Sequence, residues 1–60
     1  MQINVQFFDS SNATVVSYFS GPQDEVEFPN QGQIDSGDAR WKTYYNSLPS
    51  LSQRSLPTPA

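Results

Sequence analysis

The chain has 60 residues, a formal charge of −3, and neither cysteine nor histidine. Disulfides and thiolate or imidazole metal sites are excluded, and one small domain is the most this length can hold. The few basic side chains, Arg40, Lys42 and Arg54, cannot neutralise a phosphate backbone, so no nucleic-acid partner is expected, and the acidic balance argues against an anionic membrane.

Hydrophobic residues make up 35% of the chain, and many of them are aromatic. A few large side chains must therefore close the core, because each buries a large area. No apolar run approaches the roughly eighteen residues of a membrane span. The start, MQINVQFFDSS, lacks a basic segment and a long apolar run, so no secretory signal is expected. Asn12-Ala13-Thr14 is a glycosylation sequon that carries no weight without such a signal.

Residues 2–8 alternate, with Ile3, Val5 and Phe7 on one face and Gln2, Asn4, Gln6 and Phe8 on the other. This is the pattern of a half-buried strand. Asp9-Ser10-Ser11-Asn12 are turn formers, and residues 13–19 are β-branched and aromatic, so a hairpin is expected. Its second strand would contribute Val15 and Phe19 to the core. Ser20-Gly21-Pro22 breaks the chain. Residues 24–28, DEVEF, read as a short acidic edge strand with Val26 and Phe28 on one face, Phe28 joining the core. Pro29 to Gly32 reads as a turn, with Gly32 placed for a positive φ. Gln33 to Asp35 reads as a short extended piece.

Asp38 stands where a helix N-cap belongs. Trp41, Tyr44, Tyr45 and Leu48 follow at i, i+3, i+4 and i+7, one face of an amphipathic helix that Pro49 stops. Arg40 reads as a solvated helix charge, or as one that stacks or pairs with an acidic neighbour. Ser-Leu-Pro occurs at 47–49 and again at 55–57, and residues 49–60 read as an extended Pro/Ser-rich tail, with Leu51 and Leu56 as its only anchors and at most one helical turn through Ser50–Arg54, capped by Ser50.

The fold expected is α+β: an antiparallel hairpin or three-stranded meander over residues 1–48, packed by one aromatic-faced helix, followed by a tail at 49–60 that docks on a partner. The core expected is Ile3, Val5, Phe7, Val15, Phe19, Phe28, Trp41, Tyr44 and Leu48. Phe8, Tyr18, Tyr45, Leu51 and Leu56 are left over as candidates for contact with a partner protein.

Catalysis is poorly served. No side chain can act as an imidazole base or thiolate nucleophile, and no serine has a base beside it. Asp24, Glu25 and Glu27 could serve acid–base work or bind a hard cation, but a solvated strand edge accounts for them more simply. Helix capping likewise accounts for Asp38 better than a calcium site shared with Asp35. The Trp41 face could be a sugar platform or peptide groove; as the only cover for the hairpin, it reads as core. No catalytic, cofactor or metal site is assigned.

The sequence from Gln6 to Ser50 resembles a group of short proteins encoded in tail-gene clusters of tailed bacteriophages and prophages. The resemblance is carried by Phe7-Phe8-Asp9, Gly21-Pro22-Gln23-Asp24, Pro29-Asn30-Gln31-Gly32, Asp38-x-Arg40-Trp41-Lys42-x-Tyr44-Tyr45 and the Leu48-Pro49 exit. It departs at Ala39, where the group often has proline. The resemblance implies a setting, a virion tail, baseplate or fibre, in a protein made in the bacterial cytoplasm and held in several copies by neighbouring tail or fibre proteins. A transient assembly factor and an inhibitor of a host protein are the alternatives.

Overall fold

Alternation along Gln2–Phe7 makes this strand, β1, the centre of the molecule: Ile3, Val5 and Phe7 are all buried, and the residues between them are not. A computed structural model describes residues 1–60. β1 is followed by β2 (Val15–Phe19), β3 (Gln31–Asp35), α1 (Ala39–Asn46) and α2 (Ser50–Gln53). The strands form one antiparallel sheet in the order β2-β1-β3, and α1 packs on one face of it. The fold is α+β.

The turn between β1 and β2 is built by Asp9. Its Oδ1 accepts from the backbone N–H and the hydroxyl of Ser11, and Asn12 takes a left-handed φ of 58°. Asparagine tolerates that region better than most residues. β2 then carries a bulge. Gln6 lies opposite Ser17, but Phe7 lies opposite Val15, so Val16 is an extra residue. A bulge shifts the in–out alternation by one. Val15 and Tyr18 therefore share the buried face, and Phe19 turns to the other face, half-buried. The expectation of Phe19 in the main core is corrected for this reason.

The third strand is not DEVEF. Asp24 holds residues 24–28 in a tight turn: its Oδ1 accepts from the Val26 N–H at 2.9 Å and its carbonyl accepts from the Phe28 N–H at 2.8 Å. A local side-chain acceptor competes with sheet pairing. The edge of the sheet is taken instead by QGQID, which places Ile34 directly opposite Ile3 and buries it. Phe28 is 37% exposed and meets Phe19 edge-on at 5.3 Å, on the face away from α1. It is not part of the main core. The left-handed residue of the following turn is Asn30, with φ 62°, and not Gly32. Gly32 serves packing: a Cβ there would lie 2.7 Å from the Phe7 ring.

Asp38 caps α1 as expected, its carboxylate accepting from the Arg40 N–H. Trp41 is wholly buried and is ringed by Tyr18 and Tyr44 at 5.6 Å and Tyr45 at 6.3 Å. Tyr44 and Leu48 are half-buried at the margin. The tail has the one helical turn that the sequence allowed, α2, and no regular element after it. Pro49 precedes the single turn of α2, and Ser50 makes no side-chain cap. Gln53 Nε2 donates back to the carbonyls of Tyr45 and Leu48, at the open end of α1. The chain then returns across the core. Leu56 packs against it, the Trp41 indole N–H donates to the Pro57 carbonyl at 3.0 Å, and the Ala60 N–H donates to Ser36 at 3.1 Å. The tail thus closes its own domain. A buried indole needs an acceptor, and Pro57 supplies one.

Candidate functional site

Three surface features offer chemistry. The first is centred on Arg40. Its Nε and Nη2 donate to the two carboxylate oxygens of Asp38 at 3.0 and 2.8 Å, and its Nη1 donates to the Asn12 carbonyl at 2.6 Å. The guanidinium also lies 5.2 Å from the centre of the Phe7 ring. A planar fork suits this mixture of bidentate pairing and stacking. The arrangement ties the start of α1 to the β1–β2 turn. Hydrogen bonds from the Arg40 side chain and then its backbone N–H pull the Asp38 carboxyl down to about 2. The same contact raises Arg40. Of the two readings open for Arg40, pairing with an acidic neighbour is the one observed, with Asp38.

Beside Arg40 lies a groove of about 360 Å³. Ala13, Thr14 and Val15 line one side, and Ala39, Arg40, Thr43, Tyr44 and Ser47 of α1 line the other. It meets β2 only at its first residue, Val15.

The second feature is the opposite face of the sheet, which is amide-rich. Gln33 Nε2 donates to Asn4 Oδ1 at 3.2 Å, and Gln6 Nε2 donates to the Pro29 carbonyl at 3.0 Å. Gln31 grips the crossover segment. Its Oε1 accepts from the Gln23 N–H at 2.9 Å, and its Nε2 donates to the carbonyls of Gln23 and Phe28 at 2.9 and 2.7 Å. A shallower hollow of about 190 Å³ sits there between Asn4, Gln31, Gln33 and Pro22–Gln23.

The third feature is a set of apolar side chains left in solvent. Of the contact residues expected from sequence, Phe8 is 72% exposed and Leu51 is 73% exposed. Tyr18, Tyr45 and Leu56 are not free: all three pack against the buried core, and only their edges are accessible. Tyr18 is inward because of the bulge, and Leu56 because the tail folds back. Val26, 90% exposed at the tip of the Asp24 turn, was not anticipated from sequence. A turn reading of DEVEF would have found it, since Asp24 is a turn former two residues earlier.

No group of three or more acidic side chains converges to hold a cation. Asp35 is engaged by the Met1 amino group at 2.9 Å and the Gly37 N–H at 2.7 Å, which lower its pKa. No helix is long and apolar enough to cross a membrane. Comparison with protein-family models, with curated proteins and with solved structures finds no match.

Proposed function

We propose that the chain is a non-enzymatic structural component of a tailed-phage virion, at the tail, baseplate or tail fibre, acting through protein–protein contacts. The observation that carries this reading is the exposure of Phe8, Val26 and Leu51 on a domain whose buried apolar core is only six residues. Side chains of that size find favourable burial against another protein, and aromatics are enriched in such contacts. The resemblance in Gln6–Ser50 supplies the setting, and virion symmetry would set the copy number. The test is mass spectrometry of purified particles, calibrated against the tail proteins. Stoichiometric presence supports a virion component. Absence from particles, with the protein abundant in infected cells, rejects it in favour of an assembly factor or a regulator of a host protein.

A further inference from the structure

β2 is an edge strand whose outer rim is open. On β1 the odd-numbered residues turn their backbone toward β3: the Phe7 N–H donates to the Asn30 carbonyl at 2.8 Å, and the Met1 carbonyl accepts from Ser36 at 2.7 Å. In an antiparallel pair, backbone groups alternate between the two sides of a strand. The residues opposite Val5 and Phe7 are Tyr18 and Val15. Their N–H and C=O groups therefore aim away from the sheet, and neither residue makes a backbone hydrogen bond beyond the β1–β2 ladder. At the start of this rim, beside Val15, lies the groove of about 360 Å³ walled by Ala39, Arg40, Thr43 and Ser47. An open rim supplies main-chain partners for a further strand, and the groove at its start accepts a side chain from one end of it.

We propose that the β2 rim and the groove beside α1 take one extended segment of a partner protein by strand addition. The inference rests on the reading of this chain as a protein-contact component, though not on the virion setting. The occupant is one strand and not a second folded copy, on grounds of size. β2 has five residues, a rim of about 17 Å. A stable interface between folded proteins covers about 800 Å² on each side, roughly a fifth of the 3973 Å² of this molecule. The rim and groove offer much less. Charge defines the segment further. The only charged group on the groove wall, Arg40, is neutralised by Asp38 at 2.8 Å. The segment is therefore uncharged where it meets the groove, with small side chains against Ala13, Val15 and Ala39. The β3 rim is less suited, because the charged Asp35 stands on it, paired with the Met1 amino group.

The test uses uncharged decapeptides selected from a randomised display library against the full chain, then titrated into ¹⁵N-labelled protein. The expected result is amide shifts confined to residues 13–19 and 39–47. Methylating alternate peptide nitrogens in one of the two registers should weaken binding by about tenfold or more, the effect of removing rim hydrogen bonds. Thr43→Arg, at an exposed helix position, should fill the groove and weaken binding by a similar factor, whereas Lys42→Ala, on the other side of α1, should not. Circular dichroism checks that Thr43→Arg folds, and Ser47→Arg replaces it if it does not. Enrichment of no peptide, shifts centred on Phe8 or Val26, or a dimer closed through β2 would each overturn the proposal. The particle measurement is independent. A chain present in particles that binds no strand rejects strand addition alone; one that binds strands but is missing from particles rejects the setting alone.

Discussion

Trp41 is the residue on which most of the molecule converges. Its ring fills the space between sheet and helix, three tyrosines pack around it, and its indole N–H holds the returning tail through Pro57. Trp41→Ala removes all of these contacts at once. A large-to-small change of this kind costs about 3–5 kcal/mol, close to the whole stability of so small a domain. The variant is expected to be unfolded by far-ultraviolet circular dichroism at room temperature, with the tail no longer protected from proteolysis. A folded Trp41→Ala protein would mean that the sheet and α1 are held together by something other than this ring. Gly32 shows the same packing from the other side. Phe7 lies so close to it that no Cβ fits, which explains a glycine in the middle of a strand.

At the scale of elements, α1 is the one whose start is defined by a single charged pair. Asp38 caps it, and loss of an N-cap costs about 1 kcal/mol. The Asp38 carboxyl is held at about 2 in the folded protein, against an ordinary 3.8. Its folded value lies below its unfolded value, so the charge contributes stability above pH 3.8, and that contribution is lost as pH falls through about 2. Asp38→Asn keeps a capping oxygen but removes the charge. The wild type is expected to unfold at higher urea than Asp38→Asn at pH 5 and above, with the difference shrinking steadily between 3.8 and about 2. A difference that does not change with pH would show that the Arg40 pair contributes nothing through its charge. The cap and the Trp41 face were legible in sequence because both are local: one residue before a helix, and one helical stripe. β1 was legible because its alternation spans the whole strand. The bulge at Val16 was not, since nothing in ATVVSYF marks where an extra residue sits, and it alone decides that Tyr18 faces in and Phe19 out. β3 was legible only at Gln33 to Asp35; Gln31 and Gly32 read as part of a turn, and the amide contacts of Gln31 to Gln23 and of Gln33 to Asn4 belong to no local pattern. The return of the tail onto the core was not legible for a related reason. Its composition resists regular structure, but Leu56, Pro57 and Ala60 each have a partner in the core or beside it.

For the whole molecule, the returning tail packs on the core, while Phe8, Val26 and Leu51 stay in solvent. Burial against a partner protein is the role proposed for them. The most direct measurement is carbene footprinting of the chain, free in solution and in purified phage particles, read residue by residue by mass spectrometry. Free protein should be labelled strongly at Phe8, Val26 and Leu51, and the same residues should be protected in the particle. Equal labelling in both states, or particles that lack the chain altogether, would contradict the claim that this is a virion protein acting through its exposed apolar side chains.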